Sequence, residues 1–496
     1  MKALACATAI ATGWACGSAS APSLVITVTD QGQPIAARVV LLRDGAPVHL
    51  GTIDLYGQRQ GATACVFAPG VLGTWDGIVL ADGRGTVPVG AKACALAPGT
   101  YTVWAWHGFD HERWEGTVTL GAQGKDATLA IALERAWTPP PNVVAADLHV
   151  HAAASPDSGM PNVERVAAQL AAGIQVLGLS DHNTSGDAQA AIEQLGVGAR
   201  IVSVPSNEIT SEMMHVGIYP AITAPAADRI IKADPATLFG WLRALPDHPI
   251  IQVNHPRFRY QSLFDTTRWD GTSWPPPFPL EFDAMEVVAG YSANNTAGDR
   301  RLDDALRDLY TFYRHGFAIA AMGGSDTHDF NWVLDGTART FVTLPGPYEQ
   351  AAFIQAIRDR RTLATSGPWL EVTVAKDGES AGAGQMIHAS GTVTVTVKAS
   401  HAAFVKPTRL RITVGAVTTE LAVPAARDFA VTRELEVGTR DTFIGVAIDG
   451  DEALPLELTG TYQRDKWHKQ GVTPFAVISP ILVDADGDGA WKPPTS

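Results

Sequence analysis

Six histidines, two carboxylates and a candidate third, Asp157, fall along residues 147–328 in an order that makes chemical sense if they converge on metal ions. The pieces are Asp147-Leu148-His149-Val150-His151, Ser180-Asp181-His182-Asn183, Glu208 followed by His215, Asn254-His255-Pro256-Arg257, and Gly323-Gly324-Ser325-Asp326-Thr327-His328. On an extended strand, residues two apart face the same side, so His149 and His151 can grip one ion. Glu208 can bridge two cations, and Asp326 completes a first ligand set. His215 and His255 complete a second ion through Glu208, while Asp157, His182 and His328 supply a third. Imidazole and carboxylate ligands suit Zn, Mn or Fe, and the lack of thiolate ligands argues against a purely structural zinc site. Adjacent divalent ions acidify a bridging water and polarise the bond under attack, so the expected chemistry is hydrolysis by hydroxide. Neither Gly-x-Ser-x-Gly nor a Cys with a nearby His offers a protein nucleophile.

These residues must be positioned by strands. Apolar runs precede most of them: Val143-Val144, Val176–Leu179, Ile201–Val204, Ile250–Val253 and Ile319–Met322. Helical patterns over Val163–Ala172, Ala188–Gln194, Ala236–Ala244, Arg301–His315 and Tyr348–Arg361 alternate with them. That alternation predicts a parallel α/β barrel over 143–368, where side chains at the strand C-termini share one mouth. Thr138-Pro139-Pro140-Pro141 marks its start and Ser366-Gly367-Pro368 its end. Before it, residues 22–137 show short alternating strands and Gly- or Asp-rich turns, an antiparallel β-sandwich pattern. After it, 369–460 predicts a second β-sandwich, and 461–496 a final strand (Phe475–Val483) with an Asp-rich tail.

The segment Pro-Gly-Thr-Tyr-Thr-Val resembles the carboxypeptidase-regulatory type of accessory sandwich. More specifically, the ordered motifs Asp-Leu-His-Val-His with Ser-Pro-Asp, Ser-Asp-His-Asn-Thr, Asn-Glu-Ile-Thr, Val-Asn-His-Pro-Arg and Gly-Gly-Ser-Asp-Thr-His-Asp resemble the polymerase and histidinol phosphatase (PHP) superfamily. The most similar branch is the carbaryl-hydrolase-like one, over about residues 143–375. The resemblance implies a distorted (β/α)7 barrel with two or three metal ions. It assigns His149, His151, Glu208 and Asp326 to one ion, Glu208, His215 and His255 to the second, and Asp157, His182 and His328 to the third. Glu208, Asp326 and His255 are the expected catalytic centre. This chain has Asp157 where many relatives place a His, and Glu286-Val287-Val288-Ala289-Gly290 where the branch often has an Asn. The expected function is an exported hydrolase cleaving a small ester, amide, carbamate or phosphoester. A non-catalytic, metal-containing envelope binding protein is the alternative.

Other features bound this reading. A net charge of −14 with no Lys/Arg run argues against a nucleic-acid partner. Met1–Ala21 reads as an export signal, with Cys16 a candidate lipidation site and soluble secretion the alternative. No later run of about 18 apolar residues predicts a membrane span. Of four cysteines, Cys65 and Cys94 remain in the mature chain, as a disulfide or two buried thiols. Arg257 and Arg339 are candidate substrate-binding cations or structural ion pairs. Asp181 could hold a ligand imidazole, and Trp104, Trp106, Trp114 and Trp137 could line a sugar face or pack. Asp484, Asp486 and Asp488 with Gly489 sixth resemble the start of a calcium loop, but position twelve is Thr495.

Overall fold

The computed structural model describes residues 22–48, 50, 65–68, 70–74, 77–90, 94–121, 126–223, 230–258, 261–290, 301–329, 333–460 and 472–493. The expected export signal and Cys16 lie outside this set. Among the described residues, no helix is long and apolar enough to cross a membrane.

The N-terminal strands form two sheets around Leu24, Ile26, Val39, Leu41, Tyr101, Val103 and Ile131. Every second residue of Ser23–Asp30 is buried, the signature of a strand with one face on a core. The expected antiparallel pattern holds for most pairs, but Ser23–Asp30 runs parallel to Ala127–Leu133, from Leu24 opposite Ala127 to Asp30 opposite Leu133. Cys94 is disulfide-bonded. The side chain of Cys65 lies outside the described residues. Trp106 and Trp137 are buried, and Trp137 stacks on Trp369 at 5.4 Å, so these indoles pack rather than present a sugar face.

Residues 143–365 are mixed α/β. The helix Asn162–Ala171 turns Val166, Ala167 and Leu170 inward, and the chain leaves it through Gly173 at φ 80°. The helix Pro235–Arg243 starts on Asp234, whose side chain accepts from Thr237 N at 3.0 Å. The strands divide between two sheets rather than one closed ring. In the first, Val202–Ser203, Val176–Leu179 and Val143–Val150 are parallel, followed by antiparallel Arg339–Thr343 and Thr362–Thr365. In the second, Asn207–Thr210 and His215–Tyr219 form an antiparallel pair, followed by Ile250–Val253, Ala284–Ala289 and Ala320–Gly324.

The expected barrel is therefore not closed by a continuous ladder, and both seams have a physical reason. At one, Pro205 separates Val202–Ser203 from Asn207–Thr210 and has no N–H to donate. At the other, the outer edge of Ala320–Gly324 is satisfied by hydroxyls instead of backbone. Ser479 Oγ accepts from Ala321 N at 2.8 Å, Thr362 Oγ1 donates to Ala321 O at 2.9 Å, and Thr340 Oγ1 both accepts from Gly323 N and donates to its carbonyl. Single bridges cross the seams, His182 with Glu208 and Val150 with Thr327. They place the ligand loops of the two sheets against each other.

The C-terminal strands do not stand apart from this unit. The sheet containing Val143–Val150 continues from Thr362–Thr365 through Phe475–Ile478 to Thr442–Asp449, Arg409–Val414 and Val417–Ala422. A four-stranded sheet, Glu379–Ala381, Trp369–Lys376, Thr392–Ser400 and Asp428–Glu436, packs on it through Val372, Val395, Ile412 and Val446. The single strand expected over 475–483 is two, Phe475–Ile478 and Ile481–Asp484, divided at Ser479-Pro480.

Candidate metal centre

Glu208, on the short strand Asn207–Thr210, is fully buried and lies at the middle of a histidine cage. Its two oxygens stand 2.9 Å from His149 Nε2, 2.9 Å from His182 Nδ1, 3.2 Å from His215 Nδ1, and 3.5 Å from Nε2 of both His151 and His255. Asp326 faces it across the cage, 3.1 Å from Nε2 of both His149 and His151. Asp157 closes the outer side, 3.2 Å from His182 Nε2 and 3.4 Å from His328 Nε2. All nine residues expected to hold metal thus come together. Donor atoms cluster as His149, His151 and Glu208; His149, His255 and Asp326; His182, Glu208 and His215; and His151, Asp157, His182 and His328. His255 groups with His149 and Asp326 rather than with His215, and His182 approaches Glu208 as well as Asp157.

Two ligand positions carry left-handed backbone: His255 at φ 25° and Asp326 at φ 53°. Such conformations are costly for a non-glycine residue and persist where surrounding contacts over-determine them. Here those contacts are visible. Glu286 Oε2 accepts from His255 N at 2.7 Å, and Asp326 N donates to His149 O at 2.8 Å. Arg165, wholly buried on its helix, donates to His151 O at 3.0 Å and Thr327 Oγ1 at 3.1 Å and pairs with Asp335 at 2.8 Å. One guanidinium thereby ties the first ligand loop to the last.

The imidazoles are also oriented. His149 Nδ1 contacts Glu286 Oε1 at 2.8 Å, His151 Nδ1 contacts Ser155 Oγ at 2.9 Å, His182 Nδ1 contacts Thr210 Oγ1 at 2.6 Å, and His328 Nδ1 contacts Asp326 O at 2.9 Å. For His149 and His151 an outer partner on Nδ1 turns Nε2 toward Glu208 and Asp326, the arrangement by which proteins fix metal-binding histidines, whereas His182 shares Nδ1 between Thr210 and Glu208 and turns Nε2 to Asp157. Gln252 and Asn254 extend the support: Tyr219 donates to Gln252 Oε1 at 2.8 Å, Gln252 Nε2 to Asn254 Oδ1 at 2.9 Å, and Asn254 Nδ2 to Glu208 Oε1 at 2.9 Å.

The donor set fits divalent cations. Glu208, Asp326 and Glu286 are at most 2 % exposed, and carboxylates buried this deeply require positive charge. Without a metal that charge falls on imidazoles. Burial lowers the His149 pKa, but Asp326, Glu286 and Glu208 outweigh it and raise it well above the ordinary value. Burial raises Glu208, and His215, His149 and His182 outweigh it and hold the carboxyl well below its ordinary range. Burial, with His328 and His182 adding, depresses His151 to about 3 against the opposing pull of Asp326 and Glu208, and Asp326 Oδ1 stands 3.1 Å from its Nε2. Both ring nitrogens of His215 lack a hydrogen-bond partner.

The other candidates take the following places. Arg257 is committed to the scaffold: it pairs with Asp308 and with Asp265 at 3.3 Å, donates to Trp269 O at 3.1 Å, and lies over the Phe264 ring. Arg339 is buried, donating to Gly336 O and Ala172 O, with Phe109 against its plane, away from the metal cage. Asp181 holds backbone, accepting from Ala152 N at 2.7 Å and Ser155 N at 3.1 Å, not an imidazole. In the tail, Asp484, Asp486 and Asp441 share a cluster, while Asp488 accepts from Ala490 N and pairs with Lys492 at 3.1 Å. Asp484 accepts from Gly487 N and Gly489 N, as in an ordinary Asp-Gly turn. The residues that spacing did not reveal are Glu286, Arg165, Asn254 and Ser155. Glu286 lies within the otherwise apolar strand Ala284–Ala289, and that lone acid was the available signal.

Compared with known proteins, the chain matches no family model, no curated protein and no solved structure.

Proposed function

We propose that the protein is a metal-dependent hydrolase of the PHP type, holding two or three divalent ions (Zn, Mn or Fe) and cleaving a small ester, amide, carbamate or phosphoester outside the cytoplasm. The observation that carries the reading is the placement of Glu208 against five imidazoles, opposite Asp326, with ring nitrogens turned inward by outer partners. His149, His151, His255 and Asp326 would hold one side of the cluster, His215 and Glu208 its middle, and Asp157, His182 and His328 the solvent side. When bound, such ions acidify water and polarise the bond under attack.

The chain's own contribution is positioning and charge. Glu208 and Asp326 place negative charge between the imidazoles and offset repulsion between neighbouring cations. Glu286 and Asn254 fix His149 and Glu208. Asp157, 37 % exposed, and the partly exposed His182 and His328 define the side open to a substrate. The test is elemental analysis of the purified protein with an ester, amide, carbamate and phosphoester panel, repeated for His149→Ala and Asp326→Ala. Both variants should lose bound metal and turnover together while keeping a native circular-dichroism spectrum. Unchanged metal content in both would remove the assignment.

A further inference from the structure

A second cavity, of about 310 Å³, lies between the N-terminal sandwich and the N-terminal ends of strands Val143–Val150 and Val176–Leu179. The metal ligands stand at the opposite, C-terminal ends of the same strands, so this space is distinct from the metal cage. Its lining includes the apolar Ile35, Leu170, Ile174 and Phe341. Arg135, Arg200, Arg339 and His107 also line it. Among the described lining residues Asp110 is the only acid.

The cations are unequally compensated. Arg135 is paired with Asp30 at 2.6 Å and is 3.7 Å from Asp110. Arg339, 3 % exposed, gives its hydrogen bonds to carbonyl oxygens, Gly336 O at 2.6 and 2.9 Å and Ala172 O at 2.8 Å; no ion pair joins it to a carboxylate among the described residues. Arg200, half-buried where the loop after helix Gln189–Leu195 reaches the cavity, has no side-chain hydrogen bond or ion pair among the described residues. His107 uses Nδ1 on Ala36 O at 2.7 Å, which leaves Nε2. A guanidinium withdrawn from water without a counter-charge is costly, and this chain otherwise carries a net charge of −14. Arg200, which has no ion pair among the described residues, and Arg339, whose charge is met by Asp110 and Asp147 without a direct ion pair, line one space with Ile35, Leu170, Ile174 and Phe341, a lining that suits an anion with an apolar body. At about 30 Å³ per water-sized group, the volume admits roughly ten non-hydrogen atoms.

We propose that this cavity binds a small organic carboxylate, its acid group on Arg200 and Arg339 and its apolar body against Ile174 and Phe341. Guanidinium presents a planar fork of donors that suits a carboxylate. The site needs no metal.

The experiment is isothermal titration of the full chain with benzoate and isophthalate, using isophthalamide as the neutral control, for the wild type and for Arg200→Ala. Because the Arg200 side chain has no hydrogen bond or ion pair among the described residues, the variant should unfold at the wild-type temperature in the absence of ligand. Saturable binding of a carboxylate by the wild type, weakened tenfold or more in Arg200→Ala, retained after chelator treatment and absent for the amide, is the expected result. Equal affinity of the two proteins, loss of binding with the metal, or no saturable binding of either carboxylate up to about 10 mM would overturn the proposal.

Discussion

Glu286 Oε1 stands 2.8 Å from His149 Nδ1, and the same carboxylate's other oxygen accepts from the backbone N of His255 at 2.7 Å. One buried acid therefore orients the ring of His149 on a strand of the first sheet and pins the strained backbone of His255, which follows the strand Ile250–Val253 of the second. Glu286→Gln should weaken metal binding by roughly 10- to 100-fold, read by chelator competition. An unchanged affinity would show that the His149 ring is held by packing alone.

Glu208→Gln should be the most damaging conservative substitution. A neutral amide beside five imidazoles can no longer balance cations in their midst, and its NH2 would face nitrogen lone pairs. Metal stoichiometry should fall by at least one ion, and turnover with it. A variant with full metal content and wild-type rate would exclude Glu208 as the shared ligand.

Of the ions proposed above, one held by Asp157, His182 and His328 should leave first. Its ligands are 37, 12 and 16 % exposed, against 2 % or less for Glu208 and Asp326, and Asp157 offers oxygen where an imidazole would favour zinc. Titration with chelator should release one equivalent early, and Asp157→His should delay that release for zinc. Simultaneous loss of every ion would contradict this.

Gly324 is required by close approach. A Cβ there would sit 2.6 Å from His149 Cβ and 2.7 Å from Glu286 Oε1, with both neighbours already fixed by their mutual contact. Gly324→Ala should cost on the order of 1–3 kcal/mol of stability and lower metal affinity, measured by denaturant unfolding and metal titration. Wild-type values in both would mean that the strand can shift without disturbing the pair.

Acid should destabilise the protein in part through His107. Burial is the largest influence on it and lowers its pKa to about 4, with Asp110 opposing and His111 and Arg339 adding. The folded state thus resists a proton that the unfolded chain takes up below about 6.5. This contribution is fully present above pH 6.5 and is lost as pH falls toward 4, on the order of 2–3 kcal/mol. His107→Gln should flatten the decline of stability between those pH values. A variant whose stability falls as steeply as the wild type would assign the effect to other groups.

The ligand set was legible in the sequence because metal-binding residue types stand directly after apolar strand runs, and their order survives without knowledge of distance. His149, His151, His182, His255, Asp326 and His328 were readable in this way, while Asp157, Glu208 and His215 were readable from their residue types and place in the motif order; most strand and helix positions were legible because their periodicity is local. What tertiary structure alone decided is which ligands share an ion, who orients them, and how the sheets join. Glu286 and Arg165 act through contacts 137 and 162 residues away in sequence, for which no local pattern exists. Arg257 and Arg339 carried the same charge in the sequence as any substrate-binding arginine. Only the acids around the first, and the carbonyls around the second, separate a scaffold cation from one that lines a cavity. The open seams follow the same logic: a hydroxyl from Ser479 or Thr340 can replace a backbone partner only once distant strands have been brought side by side.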